Sequence, residues 1–308
     1  MKILLTGATG FIGSRLASAL LGSGHGVAAL VRPKSSLCAL ENLLPCLQVY
    51  VYDTSYASLV NALKGTKAEL VIHVASLFLP QHQSSDVARL IDSNVSFPVQ
   101  LLEAMRELGV RQFINTGTSW QHYQNATYSP VNLYAASKQA FEDLLAYYVQ
   151  AENFKAITLK LFDTYGPGDT RPKLFTLLRK TARSGDTLKM SPGQQQIDLV
   201  FIDDVLDAYQ LAIARLAEMA GAVSESYALS NSDARLSLRT VVEIYETVVG
   251  RSVSVDWGGL QYRPREVLKQ WSACLPLPGW TPRVSLADGI ARMESDQAVG
   301  GLLLELDA

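Results

Sequence analysis

A doubly wound α/β fold, a parallel sheet covered by helices on both faces, is predicted by three features of these 308 residues. Short β-rich apolar runs alternate with segments of helical period through the first two-thirds of the chain. A turn with three evenly spaced glycines joins the first run to the first helical segment. After Gly166-Pro167-Gly168-Asp169 the alternation breaks into shorter, Pro- and Gly-punctuated pieces.

Taken in order, strands are predicted at Ile3–Thr6, Val27–Val31, Val49–Tyr52, Leu70–Val74, Gln112–Asn115 and Ile157–Leu161. Helices are predicted at Arg15–Leu21, Tyr56–Leu63, Asp86–Leu108 and Tyr134–Gln150. In the third of these Val87, Leu90, Ile91, Val95, Leu102 and Met105 mark one apolar face. Strands separated by helices pair in parallel through right-handed crossovers, which puts helices on both sheet faces. Beyond Asp169 the pattern predicts a helix near Lys173–Ser184, a short strand at Leu199–Ile202, a helix from Asp203 and a helix capped by Ser237 that ends at Val249. The expected division is a dinucleotide-binding domain, 1–165 plus 198–230, and a smaller α+β substrate lobe, 166–197 plus 231–308. The tail Gly300-Gly301-Leu302-Leu303-Leu304 carries no readable pattern.

Composition narrows the classes. A net charge of −2 supplies no bulk basic field for nucleic acid. Cys38, Cys46 and Cys274 form no Cys-x-x-Cys, and no histidine shows metal spacing, so no metal is expected. No apolar run is of membrane-spanning length, and no charged and apolar leader precedes Lys2. Reduced thiols in the cytoplasm are the expectation.

The turn Thr6-Gly7-Ala8-Thr9-Gly10-Phe11-Ile12-Gly13 suits a dinucleotide. Glycines permit a tight turn and close backbone approach to a pyrophosphate, and the following helix offers N–H groups and a positive dipole end. Gly7, Thr9, Gly10, Phe11, Ile12 and Gly13 are therefore cofactor candidates. About twenty residues on, the second strand ends at Arg32-Pro33-Lys34-Ser35. An acidic residue there would hold a ribose 2′-OH, whereas Arg32, Lys34 and Ser35 suit the 2′-phosphate of NADP, with NAD the alternative.

Tyr134-Ala-Ala-Ser-Lys138 places a phenol and an ammonium one helical turn apart. The ammonium, together with the positive nicotinamide ring of an oxidised cofactor, is expected to lower the phenol pKa, so that Tyr134 serves as acid in reduction and base in oxidation. Thr116, after the fifth strand, is the first choice for a hydroxyl that hydrogen-bonds a substrate carbonyl, and Thr118 the second.

With Asp53, His73-Val74-Ala75, Asn94-Val95, Tyr165-Gly166-Pro167-Gly168, Asp198 to Asp204 and Gly279-Trp280-Thr281-Pro282 added, the chain resembles the extended short-chain dehydrogenase/reductases, the NAD(P)-dependent epimerase/dehydratase family with a Rossmann fold. That resemblance implies a nucleotide-sugar substrate and a homodimer formed through two helices per subunit, about Asp86–Leu108 and Tyr134–Gln150. It also implies that Asp53 and Thr54 lie near the adenine, that Val74, Ala75 and Ser76 line the cofactor, and that Asn94 supports the site. Arg263 falls where family members bind a diphosphate; Phe78, Asp163 and Arg171 join it and Thr118 as substrate candidates.

Departures refine the expectation. The Asp-Glu pair that dehydratases carry after the threonine is replaced, counting from Thr116, by Gly117 and Thr118, which argues against dehydration. Lys160, Asp163 and Ile197 replace the commoner Arg, Asn and Arg. The segments around Asn115–Tyr123, Pro130–Tyr134 and Lys160–Tyr165 resemble the CDP-abequose and CDP-paratose synthase subgroup, which implies an NADPH-dependent 4-ketoreductase of a 4-keto-6-deoxy sugar. An NAD-dependent nucleotide-sugar 4-epimerase, a non-catalytic dinucleotide-binding regulator and a reductase of simpler ketones are the alternatives.

Overall fold

The computed structural model describes residues 1–295; the tail 300–304, and with it part of the expected substrate lobe, lies outside them. Strands and helices alternate through the first half: β1 (Lys2–Thr6), α1 (Phe11–Gly22), β2 (Gly26–Val31), β3 (Gln48–Val51), α2 (Tyr56–Thr66), β4 (Leu70–His73), α3 (Val87–Ile91), α4 (Phe97–Glu107), β5 (Gln112–Thr118), α5 (Leu133–Glu152) and β6 (Lys155–Leu161). There follow β7 (Asp163–Tyr165), α6 (Leu174–Ser184), β8 (Leu188–Met190), β9 (Gln196–Ile197), β10 (Leu199–Phe201), α7 (Ile202–Glu218), β11 (Val223–Leu229), β12 (Leu236–Ser237), α8 (Leu238–Val249) and β13 (Val255–Trp257). A last helix occupies residues 286–295 of the described chain.

Seven strands form the main sheet in the order β11-β6-β5-β4-β1-β2-β3, and every neighbouring pair is parallel. All their carboxyl ends therefore lie along one edge. The order reverses beside β1, where a crevice forms at that edge. One face buries Leu16, Leu20, Ile114 and Leu159 against α1 and α7; the other buries Leu59, Leu102, Phe113 and Phe141 against α2, α4 and α5. A third apolar cluster, with Phe175, Leu178, Val241 and Tyr245, joins α6 and α8 to β7 and β10.

Three elements differ from expectation for identifiable reasons. β11, Val-Ser-Glu-Ser-Tyr-Ala-Leu, is a sheet strand that the sequence hid, because Glu225 and its serine neighbours dilute the apolar run; β6 supplies its pairing partner. The short strand β10 pairs with β7 and stands outside the main sheet. The helix expected over Asp86–Leu108 is interrupted by a π-helical segment at Asp92–Ser96. Pro98 has no N–H to give the carbonyl four residues earlier, that of Asn94, and the ladder widens there.

The C-terminal part is tied to the sheet by buried carboxylates. Asp198 accepts from Ser230 Oγ (2.7 Å), Asn231 N (2.8 Å) and Arg235 Nε (2.9 Å). Asp204, in the first turn of α7, accepts from the backbone N–H of Arg283 (2.9 Å) and Val284 (3.2 Å).

Candidate active site

The first glycine turn is packed against the loop after β4. Gly7 has φ +74°, and a Cβ there would sit 2.6 Å from Ala75 N. A Cβ on Gly13 would collide with the Gly7 carbonyl, so the helix can approach the strand only without one. Gly10 caps α1 with no side chain across it, leaving the first-turn N–H groups at Phe11 and Ile12 directed to the sheet edge. Thr6 Oγ1 completes the junction by bonding His73 Nδ1 (2.8 Å) and accepting from Ala75 N (3.2 Å). Thr9 lies in this turn, and Val74, Ala75 and Ser76 border it. These residues fit a dinucleotide pyrophosphate on steric grounds, since the space is kept by missing Cβ atoms.

At the end of β2, Arg32 to Ser35 form a tight turn, Ser35 N bonding Arg32 O at 3.0 Å. Arg32 and Lys34 are exposed and carry no salt bridge among the described residues. Asp53, at the end of β3, spends one carboxylate oxygen on Ser55 N (2.9 Å) and Ser55 Oγ (2.6 Å), which pulls its pKa down. Thr54 beside it adopts φ +77°.

α5 carries the phenol and the ammonium. Asn132 caps it by accepting from Ala135 N (2.9 Å), and its amide donates to the carbonyls of Leu79 (3.3 Å) and Pro80 (3.1 Å). The helix start is thus fastened to the loop after β4, a link signalled in the sequence only by an Asn before a helix. Tyr134 is half-buried, its ring edge-on to Phe78 at 5.0 Å. Burial pushes the phenol up to about 12, against a smaller pull from the hydroxyls of Ser76 and Thr118. Lys138 is 1% exposed, and burial lowers its ammonium to about 8, opposed by Glu142 one turn on. The expected lowering of the phenol by the ammonium is therefore overturned in the protein by itself: desolvation of both groups dominates. The charge of Lys138 acts on His73, which burial among Phe97, Phe113 and Phe141 already holds neutral.

Two further expectations are corrected. Strand β5 extends through Thr118, so Thr116 and Thr118, two residues apart, share one sheet face, and depth along the strand separates their surroundings. Thr116 faces α7, where its hydroxyl bonds Tyr209 OH at 2.6 Å, a partner 93 residues away. Thr118, at the edge, is the threonine near the phenol; its Oγ1 accepts from Trp120 N (3.3 Å), which leaves its proton free to donate. Counted from Thr118, the two following positions are Ser119 and Trp120, so an Asp-Glu pair is still missing. Arg171 is the second correction. It is bound by both carboxylate oxygens of Asp169 (2.6 Å each) and lies over the Phe11 ring at 4.7 Å, beside the glycine turn.

Asn94 supports the site without reaching out of it. Its Oδ1 accepts from Leu77 N (2.7 Å) and Ser76 Oγ (3.2 Å), and its Nδ2 donates to Leu77 O and Ser137 Oγ (3.0 Å each). All four hydrogen-bonding positions are filled within the protein, so this side chain has no donor or acceptor left for a cofactor. Gln121 does similar work for Thr118: its Oε1 accepts from Thr118 N (3.0 Å) while Glu142 and Gln139 hold its amide (2.8 Å each). Periodicity gave no sign of that link.

Beside Tyr134 opens a cleft of about 480 Å³, lined by Trp120, Asp163, Ile197, Arg263, Arg265 and others. Trp120 packs on Phe78 (5.5 Å) and lies under the Arg263 guanidinium (5.6 Å), which Glu266 holds charged through two 3.0 Å bonds. Asp163 faces Lys173 Nζ at 3.8 Å.

Residues 3–225 match the NAD dependent epimerase/dehydratase family. The chain belongs to that family. It is thus an enzyme of the extended short-chain dehydrogenase/reductase type. Among the family's members, the CDP-abequose synthase of Salmonella muenchen is 27% identical over 297 residues, covering 96% of this chain and 97% of that protein. The UDP-glucose 4-epimerase of Mycolicibacterium smegmatis is 28% identical over 323 residues, covering 95% and 97%. The fold matches the crystal structure of UDP-glucuronic acid 4-epimerase from Bacillus cereus in complex with UDP-glucuronic acid and NAD, with a TM-score of 0.84, 24% identity and coverage of 97% and 100%. Among the described residues no helix is long and apolar enough to cross a membrane.

The two threonines separate by mutation. Thr118→Val is expected to lower kcat about 10²–10³-fold, as loss of a donor to developing charge does, and to cost about 0.5–2 kcal/mol through the lost cap on Trp120 N. Thr116→Val leaves the Tyr209 hydroxyl unpartnered and costs about 1–3 kcal/mol of stability, with the smaller change in kcat. Thermal unfolding and steady-state kinetics on the pair check this.

The Lys138 ammonium gives a pH signature. Its charge is present below about 8 and is lost as pH rises through that value, while Tyr134 stays protonated well above it. Turnover is therefore expected to fall along an alkaline limb near pH 8. Lys138→Arg, charged at any accessible pH, should move that limb upward even if its maximal rate is lower; a pH profile of kcat for both proteins reads it.

Proposed function

We propose that this enzyme reduces the 4-keto group of a nucleotide-diphosphate-linked 4-keto-6-deoxy sugar, with NADPH as reductant. Bound NADPH supplies the hydride that reaches C4. The chain's own groups handle the oxygen: Thr118 donates a hydrogen bond to it, and Tyr134 gives it the proton that completes the alcohol. A phenol held at about 12 keeps that proton until the oxygen gains charge, which is what a proton donor in reduction needs. Lys138, buried one turn away, steadies the phenolate left behind. Phe78 and Trp120 form an aromatic wall that keeps water from the carbonyl.

The observation that carries the reading is the meeting of the Thr118 hydroxyl and the Tyr134 phenol at the sheet edge that also bears the glycine turn. NADPH over NADH rests on Arg32 and Lys34, two exposed cations at the end of β2 that form no salt bridge among the described residues. Release of the oxidised cofactor after each turnover suits net reduction. Similarity to CDP-abequose synthases over nearly the whole chain supports the substrate class.

A 4-epimerase that retains NAD is the second reading, favoured by the comparable likeness to UDP-glucose 4-epimerase. The two part on the cofactor. Reduction predicts a kcat/KM with NADPH about 10–100-fold above that with NADH, the worth of one or two charge-assisted bonds, and a fall of about 10²–10⁴-fold in Tyr134→Phe. Tightly copurified NAD with no response to NADPH would instead identify the epimerase.

We further propose a homodimer through α3, α4 and α5. Val87 and Ile91 on α3 and Leu144 and Tyr147 on α5 are exposed apolar side chains on neighbouring helices, a face that a second copy would bury. Tyr147→Glu is expected to shift the protein to monomer in sedimentation velocity, and a parent that is itself monomeric would exclude the dimer.

A further inference from the structure

The cleft holds a cation that the sequence motifs did not single out. Arg263 and Arg265 flank Pro264 on one loop, and both line the cleft. Their electrostatic situations differ. Arg263 is neutralised by Glu266 through Nε and Nη2. Arg265 has no carboxylate partner among the described residues: its Nη2 donates to Ser129 Oγ (2.7 Å), and its guanidinium lies over the Tyr123 ring at 4.3 Å. Stacking on a ring fixes the guanidinium plane and leaves donors at its edge unused.

The backbone makes this residue unusual. Arg265 adopts φ +59°, the left-handed region in which a Cβ is crowded and glycine is favoured. An arginine is held in that conformation at a cleft wall by its contacts with Ser129 and Tyr123. Ile197, which also lines the cleft, brings no charge, where the family resemblance leads one to expect an arginine. An anion entering the cleft thus meets one paired guanidinium and one unpaired guanidinium.

We propose that Arg265 is a substrate-binding residue that grips the diphosphate of the nucleotide-linked substrate, alongside Arg263. This rests on the nucleotide-sugar reading and adds to it the residue that supplies the uncompensated charge. A planar fork with free donors suits two adjacent phosphate groups better than a single point charge does.

The test is calorimetric binding of CDP, UDP and dTDP to the full-length parent, Arg265→Gly and Arg265→Lys, with NADPH affinity and the unfolding midpoint measured on each. Glycine accepts the backbone conformation at no steric cost, so the variant should fold at least as well as the parent. The expected result is a loss of about 10–100-fold in affinity for the diphosphate the parent prefers in Arg265→Gly, a smaller loss in Arg265→Lys, and unchanged NADPH affinity and midpoint. Unchanged diphosphate affinity in Arg265→Gly overturns the assignment and leaves the nucleotide-sugar reading standing. A matching drop in NADPH affinity or a lower midpoint also overturns it, by showing a general disturbance. A parent that binds none of the three diphosphates overturns the nucleotide-sugar reading, and this assignment with it.

Discussion

The contact on which the rest of the site depends is that between the first glycine turn and the loop after β4. Only where Gly7 lacks a Cβ can its backbone lie against Ala75 and Val74. Thr6 then ties the same loop to β1 through His73 and the Ala75 N–H. From that junction the loop runs on to Ser76 and Phe78, which meet the Tyr134 ring and hydroxyl from one side. Asn94, in the widened turn that Pro98 imposes, fastens Ser76 and Leu77 to Ser137 on α5. A single chain of packing and hydrogen bonds thus links the turn suited to a dinucleotide with the phenol suited to proton transfer.

The electrostatics of this arrangement favour neutrality. Desolvation raises Tyr134 and lowers Lys138, so the protein by itself opposes charge on either. Such a site favours a proton donor that gives up its proton only when charge appears on a nearby oxygen. Glu142 is placed to limit the effect: one turn beyond Lys138 it supports the ammonium, and it pairs with Lys160 at 3.2 Å. Lys160 in turn contacts His122 Nε2 at 2.9 Å, and burial with that neighbouring charge holds His122 neutral, at about 4. Lys160 behind the site is paired, whereas Arg32, Lys34 and Arg265 at its rim are exposed and form no salt bridge among the described residues. That contrast separates groups that build the site from groups placed to meet anions.

Much of the architecture could be read from the chain because its signals are local. Six of the seven strands of the main sheet follow from short apolar runs, and α5, α6 and α8 begin within a residue or two of their expected starts. β11 could not be read this way, since its Glu and Ser residues are tolerated by pairing with β6 at the sheet edge. The end of β5 was set too early for a related reason. Asn115-Thr-Gly-Thr reads as a turn, but ladder pairing with β6 carries it as strand through Thr118. The choice between Thr116 and Thr118 went wrong with it, because both share one strand face and which of them reaches the sheet edge depends on where the strand stops.

Residue types and short-range periods alone thus determined the α/β class, the glycine turn, the Tyr134–Lys138 pair and the basic end of β2. These depend on backbone sterics and helical pitch, which act over a few neighbours. Tertiary structure alone decided that Thr116 belongs to Tyr209, that Arg171 belongs to Asp169 and Phe11, that Asn94 is saturated, and that desolvation governs the phenol and the ammonium. Each of these depends on which groups from distant parts of the chain exclude water from one another, and that is settled only when the layers pack.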